Sequence, residues 1–458
     1  MKNKDLNISF RFLGAAGTVT GSKTLVTFPD YSLMVDCGLF QGLKHLREMN
    51  WEDLDQEALN ASCIILTHGH LDHVGYLPRM VRQGFKGKVY CSQPTADLAA
   101  IILEDSARIQ EEDAEHANRH GYSKHDPALP LYDQKDAKRA IALLQPVDVN
   151  EWFRLTDDLR IRFRMNSHIL GATFVELDYR DTLIVFSGDT GRPFDPILGP
   201  PERPSRADFL IIESTYGDRN HPNDDTEEQL ERIIKESAGS GGTLLIPSFT
   251  VDRAQDFLYF FWNLKKNNRI PDIPVYLDSP MGIDVSKLFI DYPSWRKLEH
   301  RAFREAFSHT RMVHSINETE ALTRDNRPKI IVAGSGMMNG GRILHYLEQH
   351  LGNPASTILI CGYQAEGTRG RLLKDGAKEL KIHGRFYEVK ARVAEIRTMS
   401  SHADQNELME WISLIKNKPR AVFINHGEPQ SANALRVKIN HEKHWNCAVP
   451  RIGDVFAF

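Results

Sequence analysis

Short apolar runs ending in polar, reactive positions recur through the first half of the chain: SFRFLG, KTLVTF, SLMVDCG, CIILTHG, LRIRFRMNSH, TLIVFSGD and DFLIIES, between Ile8 and about Ile212. Each run has the length and residue types of a β-strand, and the residues that follow lie where loops present side chains to a shared crevice. The pattern predicts sheets that converge on one edge. Between Leu98 and Asn118 the many acids and few apolar positions of IILEDSARIQEEDAEHAN predict a largely exposed helix.

From about Tyr216 to Asp375 the pattern changes to strand followed by helix. TLLIPSF precedes DRAQDFLYFFWNLKK, PVYLDS precedes a helix near Ser286, KIIVAGSG precedes GRILHYLEQHL, and TILICGY follows. Alternation of this kind predicts an inserted domain with a parallel sheet and right-handed crossovers. After Lys381 the β-rich style returns with FYEVKARVAEI, then a helix and the strand RAVFINHG. The division expected is 1–215, an insertion over 216–375, and 376–458 rejoining the first domain. Ser401 to Asp404, SHAD, matches a Ser-x-x-Asp capping pattern and puts His402 in the first turn of a helix.

Composition adds little beyond exclusions. With 458 residues, 41% hydrophobic and 26% charged, the chain reads as globular with two domains. A net charge of -4 gives no global attraction to a polyanion, so any nucleic-acid contact must be local. Five cysteines without CxxC spacing suggest buried thiols and a reducing, cytoplasmic setting. The start MKNKDLNISFRFLG lacks a signal-peptide pattern, and no run approaches the roughly 20 apolar residues that cross a bilayer, so no membrane partner is expected.

The densest chemistry is His68-Gly69-His70-Leu71-Asp72-His73, at the end of CIILT. Four potential ligands within six residues have no ordinary packing role, because imidazoles and a carboxylate are costly to bury unpaired. His68 and His70 can leave an extended loop toward one ion, and Asp72 and His73 can reach a second. Imidazole with oxygen suits zinc, with manganese or iron less suited.

This HGHLDH segment resembles the HxHxDH signature of the metallo-β-lactamase superfamily, and LMVDCG (Asp36), SHILGA (His168) and SGDTG (Asp189) match its pattern in order. ESTYGD (Glu213), MSSHAD (His402) and INHGE (His426) resemble the further motifs of the β-CASP group, which processes nucleic acids. Members of that group carry a domain inserted before the last two histidine motifs, where the α/β stretch falls here. The resemblance spans essentially the whole chain and is nearest to RNA-cleaving nucleases similar to the mRNA 3′-end processing endonuclease and its bacterial relatives. It implies an α/β fold, an αββα sandwich with an inserted β-CASP domain whose parallel sheet is flanked by helices.

The resemblance further implies two zinc ions, with manganese as a substitute. His68, His70 and His168 would hold one, and Asp72, His73 and His426 the other. Asp189 would bridge both, and Asp36 would orient a ligand. It implies hydrolysis of RNA, single-stranded by expectation, by a hydroxide bridging the ions, with His402 as general acid and Glu213 as the carboxylate that keeps it charged. Endonucleolytic and 5′-exonucleolytic action both remain open, as does a homodimer. Ser335 and Gly336, in GSGMMNGG, are expected at an RNA phosphate together with Arg369 and Ser401, and Arg253, Arg342 and Arg371 are expected along the RNA path. Two other readings stand beside this one: a two-zinc hydrolase of a small ester, thioester or lactam, because fold and ligands alone do not select the substrate, and a silent scaffold subunit of an RNA-processing complex.

Overall fold

The structure, a computed structural model, describes residues 7–121 and 125–458. The charged start of the chain, residues 1–6, lies outside the described residues. The chain divides into two compact units. The first comprises residues up to Phe194, Pro200–Asn220 and His402–Phe458, and the second comprises Asp195–Gly199 and His221–Ser401.

Two seven-stranded sheets build the first unit. One runs, edge to edge, through Val455–Ala457, Ser9–Phe12, Thr24–Phe28, Tyr31–Val35, Cys63–Ile65, Lys88–Cys91 and Leu144–Pro146. The other runs through Cys447–Ala448, Ala421–Ile424, Phe209–Ile212, Thr182–Phe186, Thr173–Tyr179, Leu159–Met165 and Phe153–Arg154. Alternation sets which side chains meet: Leu159, Ile161 and Phe163 turn inward to join Phe10, Phe12, Val35, Ile65, Val175, Phe209 and Phe423 in the core between the sheets. Arg160, Arg162 and Arg164, one residue out of phase, turn away from that core and pair with Asp178, Glu176 and Glu202. The outer face of the second sheet buries Val185, Leu210, Val422 and Ile424 against Leu408, Trp411, Leu435 and Ile439 of two carboxyl-terminal helices. The expected αββα sandwich is present.

The helix over Gln93–His120 differs from the exposed helix expected. Leu98, Ala99, Ile102, Leu103, Ala107, Ala114 and Ala117 are buried. Small alanines at helical spacing make a narrow contact stripe that the charge-rich composition conceals.

In the second unit six strands form a wholly parallel sheet, in the order Arg311–Met312, Val275–Asp278, Lys329–Ala333, Thr243–Pro247, Thr357–Cys361 and Arg392–Ile396. Three of them, TLLIP, KIIVA and TILIC, are buried at every position, as a sheet covered on both faces requires. Leu244, Ile330 and Leu359 face one helical layer, while Leu245, Ile331 and Ile358 face the other. The unit continues past Asp375, where the strand–helix alternation of the sequence stops, because Arg392–Ile396 pairs in parallel with Thr357–Cys361 after the hairpin Glu379–Ile382 and Arg385–Glu388. Among the described residues no helix is long and apolar enough to cross a membrane.

Candidate metal centre

Strand ends deliver the site. Asp36 follows Tyr31–Val35, His68 follows Cys63–Ile65, His168 follows Leu159–Met165, Asp189 follows Thr182–Phe186, Glu213 follows Phe209–Ile212 and His426 follows Ala421–Ile424. All belong to the first unit. Asp36 and His426 adopt left-handed backbone conformations, φ 61° and 47°, which turn the chain sharply as each strand ends.

Among the described residues four groups of possible ligands converge: one joins Asp189, Glu213 and His402, one joins Asp195, Asp252 and Asp256 around Arg253, and the other two are the expected donor sets. In the first, His70 Nδ1 lies 3.1 Å from His68 Nε2 and 3.2 Å from His168 Nε2, and Asp189 Oδ2 is 3.5 and 3.6 Å from those two Nε2 atoms. In the second, His73 Nε2 and His426 Nε2 are 3.1 Å apart, Asp72 Oδ2 is 3.3 Å from His426 Nε2, and Asp189 Oδ1 is 3.3 Å from His73 Nε2. Asp189 therefore offers one oxygen to each set. A tetrahedral ion with ligands at about 2.0–2.1 Å separates them by about 3.3 Å, so both sets have the right size. Burial pushes His70 down to about 4 and holds His68 well below its ordinary value, so both remain neutral bases. Asp189 Oδ1 is buried without a hydrogen-bond partner, a costly state that a cation relieves.

The supports behind the donors are specific. Asp36 Oδ2 lies 2.7 Å from His73 Nδ1, which turns the Nε2 lone pair of His73 toward the cluster. Asp36 is itself fixed by the Thr67 N–H at 2.8 Å and the Thr67 hydroxyl at 3.0 Å. The short helix Leu71–Val74, carrying Asp72 and His73, is held by N–H groups from two other segments: Ser22 donates to the carbonyl of Asp72, and Cys37 and Leu39 donate to those of His73 and Leu71. This contact leaves no room at Gly38, where a Cβ would stand 1.5 Å from the Asp72 carbonyl oxygen. Gly38→Ala is expected to lower the thermal unfolding midpoint, with a cost of about 1–3 kcal/mol or more; an unchanged midpoint would show that the segment relaxes freely.

His402 stands beside the first donor set, with Nδ1 3.2 Å from both Glu213 oxygens and Nε2 3.9 Å from Asp189 Oδ2. Glu213 accepts from the backbone N–H of Thr190 at 2.6 Å and of Thr215 at 3.2 Å. Burial disfavours the imidazolium, but the carboxylates of Glu213, Asp189 and Asp72 outweigh it and raise His402 above its ordinary value. His402 is not in a helix, contrary to the capping pattern expected. The cap is Asp404, in a full capping box with Glu407, and the helix spans Gln405–Trp411. His402 instead pairs its backbone with Gly191, and Ala403 donates to the carbonyl of Thr190 at 2.7 Å. Asp404 and Glu407 satisfy two orphan donors reciprocally, the Asp404 side chain accepting from the Glu407 N–H and the Glu407 side chain from the Asp404 N–H.

The residues expected along an RNA path lie in the second unit. Arg253 is corrected outright: it is 5% exposed and locked among Asp252, Asp256 and Asp195. Arg369 donates to the carbonyls of Lys381, Met338 and Asn339, Arg371 to Asp375, and Arg342 to Thr319. The Ser335 hydroxyl accepts from the Asn339 N–H and donates to the Gly340 carbonyl. At Gly336 a Cβ would press on Phe249. Thr67 was missed, although its place directly before His68 in LTHGH was the available signal.

Family models match along the chain: the metallo-beta-lactamase superfamily over residues 17–238, the Beta-Casp domain over 254–373, and the Zn-dependent metallo-hydrolase RNA specificity domain over 387–450. The chain is 34% identical over 431 residues to Ribonuclease TTHA0252 of Thermus thermophilus, covering 92% of this chain and 94% of that one. It belongs to the β-CASP group of the metallo-β-lactamase superfamily. Transcription termination factor FttA of Pyrococcus abyssi is 30% identical over 457 residues, covering 94% of this β-CASP chain and 68% of that protein. An RNase J-like protein of Methanocaldococcus jannaschii is 30% identical over 404 residues, covering 86% and 87%. A crystal structure of a protein of unknown function from Enterococcus faecalis shares the fold, with a TM-score of 0.52, 12% identity and coverage of 99% and 100%. The Zn-dependent metallo-hydrolase match and the cluster of His and Asp donors support metal binding by this chain.

Proposed function

We propose that this chain is a metal-dependent ribonuclease that hydrolyses phosphodiester bonds of single-stranded RNA. Asp189 carries the reading: its two oxygens divide between two donor sets, with His402 Nε2 3.9 Å away. His68, His70 and His168 would hold one zinc ion and Asp72, His73 and His426 a second, with Asp189 shared and manganese a workable substitute. Two such ions supply Lewis acidity and lower the pKa of water toward neutrality.

The chain's own groups do the rest. Glu213 accepts from Nδ1 of His402 and stabilises the imidazolium, so Nε2 can give its proton to the leaving oxygen. Two backbone N–H groups hold Glu213 in place, and Asp36 fixes the tautomer of His73. Ser401, adjacent to His402 in the chain, is proposed to meet a substrate phosphate. An RNA substrate is supported by Ribonuclease TTHA0252 along nearly the full length of both chains. Four of the five thiols are buried and all are free, which fits a reducing cytoplasm.

The test is incubation of purified protein with end-labelled single-stranded RNA, matched DNA and a chromogenic lactam, comparing wild type with Asp72→Ala. RNA cut by the wild type and spared by the variant is expected. Hydrolysis of the lactam alone would overturn the substrate. Product lengths separate internal cutting from stepwise degradation.

A further inference from the structure

Phe194 is 83% exposed, the most exposed large apolar side chain among the described residues. Scattered apolar side chains on a surface are ordinary. This one differs in where it stands and in how its backbone is held. It follows Asp189 in the loop Thr190-Gly191-Arg192-Pro193-Phe194, whose Gly191 pairs with His402. Three residues span at most about 11 Å, so the Phe194 backbone is within that distance of a residue paired to His402.

The loop before Phe194 is fixed. Gly191 donates to the carbonyl of Asn166 at 2.9 Å, and a Cβ on Gly191 would stand 2.0 Å from the carbonyl oxygen of Ser167. Arg192 pairs with Glu407 at 3.2 Å, and Pro193 restricts its own φ. After Phe194, the buried Asp195 carboxylate accepts from the N–H groups of Ile197 at 2.8 Å and Leu198 at 2.6 Å. An aromatic ring is thus presented to solvent at the end of a loop tied down within the first unit, and the chain passes into the second unit directly after it.

We infer that Phe194 is a substrate-positioning residue that stacks on one unpaired base of the RNA strand close to the cleaved phosphodiester. The inference rests on the ribonuclease reading above. Rings stack on any base, because every base has a π-face, so the contact sets register without reading sequence. A double-stranded substrate, whose bases are already stacked on one another, cannot use it.

The experiment compares wild type, Phe194→Ala and Phe194→Trp on a single-stranded RNA oligonucleotide and on a series in which one position at a time is abasic. Phe194→Ala is expected to raise KM by about 5- to 150-fold, the usual range for one stacked base, with kcat and the melting temperature unchanged. Phe194→Trp restores KM. In the wild type one abasic position near the cut raises KM similarly, and the Phe194→Ala variant is indifferent to that position. An unchanged KM in Phe194→Ala, a fall confined to kcat, or equal abasic sensitivity in both proteins overturns the inference while leaving the ribonuclease intact. Wild-type protein that leaves RNA uncut overturns both.

Discussion

His402→Ala is expected to slow RNA cleavage by about 10²- to 10⁴-fold, the scale of a lost general acid, while the bound metal and the fold are retained. His402 lies outside the two sets expected to hold zinc and converges with Glu213 on Asp189, with Nδ1 3.2 Å from Glu213 and Nε2 3.9 Å from Asp189 Oδ2, so its removal is expected to withdraw a proton donor and leave those two sets intact. The effect should depend on the leaving group. A phosphodiester with a p-nitrophenolate leaving group needs no protonation, so wild type and variant should hydrolyse it at similar rates. Glu213→Gln keeps the hydrogen-bonding shape but loses the charge that stabilises the imidazolium, and should reproduce the defect to a lesser degree. Equal turnover of RNA by His402→Ala and wild type would remove His402 from the mechanism.

Asp189→Ala should be more damaging still. Its carboxylate meets His68 and His168 with one oxygen and His73 with the other, so one substitution opens both donor sets. Loss of transition-state charge stabilisation worth several kcal/mol corresponds to about 10³-fold or more in turnover. Metal content should fall in parallel, which elemental analysis of the purified variant reads directly. Full metal content with wild-type cleavage would show that the two sets do not depend on this residue.

Much of the site was legible because a reactive residue placed after an apolar run is a local feature. Asp36, His68, His168, Asp189, Glu213 and His426 all end strands that the apolar runs reveal. The position of His402 was not legible, because SHADQNE contains two overlapping capping patterns and only the folded backbone selects Asp404 with Glu407. Arg253 was expected along the RNA path although two of its partners, Asp252 and Asp256, stand beside it in sequence; only Asp195 is remote, and its burial shows only in the fold. The strand Arg392–Ile396 escaped the second unit because it is an edge strand with exposed positions, which gives it the look of the half-buried strands of the first.

The most direct test of the account is metal analysis of the wild-type chain purified without added metal, followed by chelation and stepwise return of zinc while RNA cleavage is followed. Two metal equivalents per chain are expected, with loss of cleavage on chelation and recovery as zinc refills both donor sets. Protein that holds no transition metal and cuts RNA equally well after thorough chelation would contradict that expectation.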